Sequence, residues 1–328
     1  GVSKMQKLQM ATQEGNNVAV VAVRSNFDDC QSAVKTIFTS DACKEELEKR
    51  GYILSSANSI NFGRLAPQIA YYFSAYLDLV SSGQIQLGDK VNFAVPTGNF
   101  GNILAAYYAM RMGLPVGRLV CASNKNNILT DFFRTGVYDK RREFYKTMSP
   151  SMDILISSNL ERLLFELSGR NAVRTKLRMD KLKEDGVYEI YDEEKEEISK
   201  LFYADYCGED ETVETIYEFF EEYQYPMDTH TACAMYAAAN YMEKEKDRDT
   251  PMVVVSTASP YKFPQDVMYA LTGNDIKDSF KAIKHLNLTT AMKVPKNLAG
   301  LRDKKVRFDI VADKDKLYPE VLKFAEKK

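Results

Sequence analysis

The hydrophobic residues of this 328-residue chain fall into short apolar runs separated by longer amphipathic segments. The short runs have strand length and predict β-strands at residues 18–23, 52–56, 91–96, 116–123, 152–157 and in the apolar part of 250–260. Residues 65–80 and 103–112 have helical periodicity, with Pro67 suited to the first turn. A later helix begins at Asp228 or Thr229, either of which can cap it. Strands that alternate with helices predict a parallel sheet connected by right-handed crossovers.

Between Asn159 and Tyr223 the pattern changes to charge-rich, mostly helical segments. The acidic runs in this region are typical of solvated helix faces rather than binding sites. We interpret residues 159–223 as a helical insertion on the sheet.

Composition narrows the classes of function. Hydrophobic residues make up 45% and charged residues 27%, as in a soluble globular protein. The formal net charge of -2 provides no global positive field that would attract nucleic acid or an anionic membrane. Five scattered cysteines without a CxxC pair, together with only two histidines, disfavour a zinc site and favour reduced thiols in a cytoplasmic protein.

The sequence "PTGNFGN" follows the predicted strand 91–96 and precedes a helix. Ligands of parallel α/β sheets gather at such strand ends, where unpaired helix N–H groups favour an anion. Gly98 and Gly101 would allow positive φ and a close approach to phosphate oxygens, while Asn99 and Asn102 add amide donors. The spacing matches neither the P-loop nor the dinucleotide fingerprint. On spacing alone, a tight turn and an anion site fit equally well.

Two further polar stretches have both a structural and a functional interpretation. "SSANSINFGR", residues 55–64, is suited to capping the next helix, yet Arg64 beside Asn58 and Ser59 also suits a phosphate or carboxylate. Ser256 and Thr257 end the last buried strand. Their hydroxyls can satisfy local backbone groups, or one can hydrogen-bond a heteroaromatic cofactor nitrogen.

Taken together, several segments resemble threonine synthase, a fold-type II pyridoxal-phosphate enzyme. They are "NFDDCQ", "SSANSINFGRLAPQIAYYF", "VPTGNFGNILAAYYA", "NKNNILTDFFRTG", "SPSMDILISSNLERLLFEL" and "STASPYKF". The resemblance runs in the same order from the N-terminus to about Val267. It implies an α/β fold with the parallel-sheet, three-layer core of the tryptophan synthase β-like kind. Residues 1–55 would then be the remainder of a smaller N-terminal domain, and residues 56–328 the large domain that binds the cofactor phosphate.

The resemblance also implies an activity and a set of site residues. The reaction is a pyridoxal 5'-phosphate-dependent β,γ-replacement that converts O-phosphohomoserine and water to threonine and phosphate. The residues that match the family's cofactor-phosphate loop are Gly98, Asn99, Phe100, Gly101 and Asn102. Thr257 matches the threonine at the pyridine nitrogen, and Asn58, Ser59 and Arg64 match the substrate-phosphate pocket.

One part of the family pattern is missing from the sequence. The family's Schiff-base lysine lies in a Phe-Lys-Asp motif, whereas the one Phe-Lys pair here, Phe280-Lys281, is followed by alanine. We therefore expect a fragment that lacks the N-terminal segment with the catalytic lysine and is inactive alone, and we assign no catalytic residue. Two alternatives are a related threonine or serine dehydratase, which the phosphate-pocket stretch argues against, and a non-catalytic truncated module. The sequence does not predict the oligomeric state.

Overall fold

The structure, a computed structural model, describes residues 4–25, 27–55 and 61–326. It divides into two compact units. The described residues of the smaller unit come from segments 4–55, 278–283 and 292–326, and those of the larger unit from 61–277 and 284–291. The first change of unit falls next to the predicted boundary at 55/56. The C-terminal segment, however, groups with the N-terminal residues, whereas the sequence placed it in the large domain.

The smaller unit is mainly helical. Its elements are α1 Lys4–Ala11, β1 Ala22–Val23, α2 Phe27–Thr39, α3 Asp41–Lys49, α14 Lys296–Ala299, β8 Val311–Ala312 and α15 Leu317–Ala325. Strand β1 pairs in parallel with β8, which explains why the C-terminal segment belongs to this unit. The prediction of a strand over 18–23 is confirmed only for its last two residues. Residues 52–55, also predicted as strand, have no regular secondary structure.

The larger unit contains most of the remaining elements. They are α4 Phe62–Ser81, β2 Val91–Pro96, α5 Gly101–Arg111, β3 Val116–Ser123, α6 Ile128–Thr135, β4 Val137–Asp139, α7 Leu160–Leu167, α8 Ala172–Glu184, β5 Val187–Glu189, α9 Asp192–Leu201, β6 Phe202–Tyr206, α10 Glu209–Tyr223, α11 Thr229–Lys244, β7 Met252–Val254 and α12 Pro264–Thr272. Helix α13, Ser279–Thr290, contributes residues to both units. Among the described residues, no helix is long and apolar enough to cross a membrane.

A four-stranded sheet in the order β6-β3-β2-β7 forms the centre of the larger unit, and every neighbouring pair is parallel. All six residues of β2 are buried, as expected for a strand covered on both faces. Phe93 and Val95 belong to the hydrophobic cluster that also contains buried residues of α4, α5 and α7, whereas Ala94 belongs to the cluster formed with the alanine-rich face of α11. The prediction of a three-layer α/β core is confirmed.

The region 159–223, predicted as a mostly helical insertion on the sheet, also contributes strands. Besides helices it contains β6, which pairs with β3 and forms one edge of the central sheet. It also contains β5, which pairs antiparallel with β4. The sequence of β6, "FYADY", includes a charged residue, so its hydrophobic pattern is weaker than that of β2.

Two local predictions were also wrong. Of the residues 152–157, predicted as a strand, Met152 ends a short 3-10 helix, Pro150–Met152, and the rest have no regular secondary structure. Pro67 lies inside α4 rather than in its first turn, because the helix already begins at Phe62, with Asn61 as its cap.

Candidate functional site

The carboxyl ends of β2 and β7 bring two of the predicted site segments together. Ala94 pairs with Val254, Gly98 lies four residues beyond Ala94, and Thr257 lies three beyond Val254. Because the strands are parallel and adjacent, both segments emerge at the same edge of the sheet. We call residues 97–102 the glycine loop. The glycine loop and Thr257 therefore lie beside the same region at the carboxyl edge of the sheet.

The glycine loop leaves the start of α5 open to an anion. The cap residue of α5, Phe100, makes no side-chain capping hydrogen bond. The first bond back to this residue comes from Leu104 N–H, which donates to Phe100 O at 3.2 Å. The N–H groups before it have no intrahelical acceptor, and the helix dipole adds positive potential there. This arrangement fits a bound phosphate group.

The left-handed residue of the loop is Phe100, not a glycine. Phe100 has φ of 59° and ψ of 12°, whereas neither Gly98 nor Gly101 has positive φ. The expectation that the glycines supply this conformation was therefore wrong. The Phe100 ring is buried, with centroids 5.9 Å from the ring of Phe133 and 6.0 Å from that of Phe202. We infer that this packing holds the residue in a conformation that a non-glycine residue rarely adopts.

The two glycines differ in what surrounds them. A Cβ at Gly98 would lie 2.5 Å from the backbone oxygen of Ser151, which is far inside van der Waals contact. A Cβ at Gly101 would meet Asn159 Nδ2 at an ordinary 3.6 Å. Gly98 is thus required by close backbone packing, whereas the space around Gly101 does not exclude alanine.

A segment remote in sequence supports the glycine loop from one side. We call residues 148–159 the supporting segment. Ser157 Oγ donates to Gly98 O at 2.8 Å, and Asn159 donates to Asn99 O from both its backbone N–H, at 3.1 Å, and its Nδ2, at 2.9 Å. These bonds use loop carbonyl groups, so they fix the loop without using its N–H groups.

A buried polar network holds the supporting segment in turn. Asn124 Nδ2 donates to Ser149 Oγ at 3.0 Å and to Asp153 Oδ1 at 2.8 Å. Asn126 Nδ2 donates to the same Asp153 oxygen at 3.0 Å. Sequence reasoning did not identify these residues as part of the site. The asparagines of "NKNN" directly after strand β3 were the available signal.

Tyr72 of α4 fixes the far end of the loop. Its hydroxyl donates to Asn102 O at 2.9 Å and also contacts Asn102 Oδ1. Burial raises the pKa of Tyr72 well above its usual range, so the hydroxyl stays protonated as a donor. Burial likewise raises the pKa of Cys121, in the adjacent strand β3, to about 12, which argues against a thiolate nucleophile at this edge.

Among the described residues, two buried side-chain oxygens lack a hydrogen-bond partner, Ser123 Oγ and Asn159 Oδ1. Ser123 ends β3 one position beyond the Pro96–Ala122 pair, and Asn159 contacts the glycine loop. Buried polar atoms are normally paired, so a polar ligand near the loop is a reasonable source of the missing bonds. A phosphate can accept from the Ser123 hydroxyl, whereas the Asn159 oxygen needs a donor.

The other predicted site residues are placed as follows. Thr257 is exposed beyond β7, while the adjacent Ser256 Oγ accepts a hydrogen bond from Thr231 at 3.4 Å. Arg64 is exposed in the first turn of α4. Asn58 and Ser59 lie outside the described residues.

Comparison with known proteins identifies relatives over most of the chain. The family described as "Threonine synthase, C-terminal" matches residues 231–319. "Threonine synthase-like 1" of Homo sapiens is 43% identical over 281 residues, which covers 85% of this chain and 37% of that protein. Threonine synthase of Pseudomonas aeruginosa is 41% identical over 272 residues, covering 83% of this chain and 55% of that protein.

Solved structures agree with the sequence relatives. The "PLP bound Threonine synthase from Brucella melitensis" superposes with a TM-score of 0.83 at 35% identity, covering 99% of this chain and 63% of that one. The yeast threonine synthase gives a TM-score of 0.83 at 31% identity, covering 98% and 62% respectively. The chain thus spans about a third to a half of the curated relatives named above. The predicted fold-type II architecture is confirmed, and in sequence and fold the chain is threonine synthase-like.

Proposed function

We propose that this chain forms the cofactor-phosphate part of a pyridoxal 5'-phosphate-dependent threonine synthase site. The observation that carries the proposal is the open N-terminus of α5. The supporting segment donates hydrogen bonds to carbonyl groups of the preceding glycine loop, which leaves the N–H groups of the loop available to a ligand. The similarity to a solved threonine synthase described as PLP bound supports the same ligand.

In this proposal each predicted residue has a distinct role. The N–H groups of the loop Gly98, Asn99, Phe100, Gly101 and Asn102 bind the cofactor phosphate, as a helix N-terminus binds anions. Thr257 offers its hydroxyl to the pyridine nitrogen from the neighbouring strand end. A neutral hydroxyl partner does not favour protonation of that nitrogen as a carboxylate would. The bound cofactor would supply the electron sink for replacement at the substrate β and γ carbons.

The proposed substrate is O-phosphohomoserine, which reacts with water to give threonine and phosphate. Asn58, Ser59 and Arg64 would bind the substrate phosphate, and a guanidinium is suited to bidentate contact with it. The sequence contains no Phe-Lys-Asp motif, and the Lys281 side chain of its one Phe-Lys pair is exposed in the smaller unit. We therefore propose that this chain binds ligands without turning the substrate over.

Ligand binding tests the substrate class. We expect O-phosphohomoserine to bind more tightly than homoserine, and Arg64→Ala to reduce this preference by about tenfold, since a charge-assisted hydrogen bond is worth about 1.5–3 kcal/mol. Isothermal titration calorimetry in the presence of pyridoxal phosphate measures both affinities. Arg111→Ala is a matched control, because Arg111 is an exposed arginine at the opposite end of α5.

The same samples test turnover. A phosphate assay should detect no cofactor-dependent phosphate release from O-phosphohomoserine. Sustained release would contradict the proposed inactivity. Equal binding of homoserine and O-phosphohomoserine would contradict the substrate assignment.

A further inference from the structure

The N-terminus of α11 contacts the supporting segment through a buried histidine. His230 is 3% exposed, and its Nε2 accepts a hydrogen bond from the backbone N–H of Ser151 at 3.1 Å. Its Nδ1 lies 3.2 Å from Oδ1 of Asp228, the buried cap residue of the same helix. The ring of Phe263 packs on the imidazole, with centroids 4.7 Å apart.

These partners define the tautomer of His230. A backbone N–H can only donate, so Nε2 must be the unprotonated nitrogen. The proton is then on Nδ1, where the carboxylate of Asp228 accepts it. The neighbouring Thr229 makes a second hydrogen bond between this helix end and the supporting segment, since its Oγ1 donates to Met148 O at 2.7 Å.

Ser151 links this histidine to the glycine loop. Its N–H bonds to His230, and its backbone oxygen lies where a Cβ on Gly98 would come within 2.5 Å. A shift of Ser151 therefore changes the space available to Gly98. The chain of contacts runs from Asp228 through His230 and Ser151 to the loop that faces the proposed phosphate.

We propose that His230 is a positioning residue for phosphate binding by the glycine loop. The imidazole does not touch the ligand in this account. It holds Ser151 so that the loop presents its N–H groups in one fixed arrangement, and preorganised donors bind an anion more tightly than mobile ones. This inference rests on the proposed function, because it requires the loop to bind a phosphate.

The test compares variants that keep or remove the Nε2 acceptor. In His230→Leu the acceptor is lost, whereas in His230→Gln an amide oxygen can take the place of Nε2. We expect His230→Leu to weaken binding of inorganic phosphate and pyridoxal phosphate by about fivefold to tenfold, the effect of one hydrogen bond. Binding of pyridoxal, which lacks the phosphate, should stay unchanged, and His230→Gln should recover most of the loss.

Tyr241→Phe is the matched control. It removes a different hydrogen bond of α11, from the buried Tyr241 to Asp247, away from the supporting segment. If wild type binds phosphate and His230→Leu binds it as well as this control does, the inference is wrong. If wild type binds neither phosphate nor pyridoxal phosphate, the proposed function itself fails.

A measurement on the unaltered protein covers the case in which His230→Leu does not fold. The ¹⁵N chemical shifts of the His230 imidazole report which nitrogen carries the proton. We expect an unprotonated Nε2 that persists when inorganic phosphate is added. A proton on Nε2 at neutral pH would contradict the contact with Ser151 and overturn the inference.

Discussion

Replacing Phe100 with alanine should destabilise the protein by about 3–5 kcal/mol, the usual cost of removing a buried phenylalanine side chain. The ring is 1% exposed and packs against Phe133 and Phe202, so its loss leaves a cavity beneath the glycine loop. Urea denaturation followed by circular dichroism measures the change in unfolding free energy.

A matched glycine variant isolates the effect of the backbone conformation. Phe100→Gly removes the same ring but adopts φ of 59° without steric cost, whereas alanine pays about 1–2 kcal/mol there. We expect the glycine variant to be more stable than the alanine variant by about 1 kcal/mol, even though glycine also loses more chain entropy on folding. A glycine variant clearly less stable than the alanine variant would contradict a left-handed Phe100.

The second large effect is expected at Gly98. Gly98→Ala places a methyl group 2.5 Å from the backbone oxygen of Ser151. Because a backbone atom cannot rotate away as the end of a side chain can, either the glycine loop or the supporting segment must shift. Such overpacking costs about 1–3 kcal/mol. The displaced loop should also bind pyridoxal phosphate more weakly. Thermal or urea unfolding and a cofactor titration measure the two effects.

Gly101→Ala is the matched control, since it makes the same chemical change three residues away. Its new methyl group would meet Asn159 Nδ2 at 3.6 Å, and the residue has no positive φ. Its stability should therefore stay within about 0.5 kcal/mol of wild type. If the two variants were equally stable, the close contact between Gly98 and Ser151 would be disproved.

The sequence predicted the centre of the larger unit because its signal there is local. Five of the six residues of β2 are apolar, and together with the glycines that follow they identify a buried strand and a tight loop. The helix cap at Asp228 could likewise be predicted from the sequence. Its carboxylate accepts hydrogen bonds from the N–H groups of His230 and Thr231, which are only two and three residues away. Such signals depend on neighbours within one turn.

The sequence failed where distant residues decide the structure. Residues 152–157 look like a strand, yet Asp153 bonds Asn124 and Asn126, and Ser157 bonds Gly98, all far along the chain. Nothing near Phe100 in sequence predicts its left-handed backbone, because the rings that hold it come from α6 and β6. The supporting segment and the role of Ser151 follow only from tertiary packing.

We propose above all that the glycine loop recognises a phosphate carried by pyridoxal, and paired titrations test this recognition most directly. Pyridoxal phosphate and pyridoxal share the same ring and differ by the phosphate group. Fluorescence titration of the protein with each, at matched ionic strength, gives the two dissociation constants. We expect pyridoxal phosphate to bind at least about tenfold more tightly, equivalent to about 1.4 kcal/mol, and Gly98→Ala to reduce that ratio. Equal affinities for the two compounds would contradict the account.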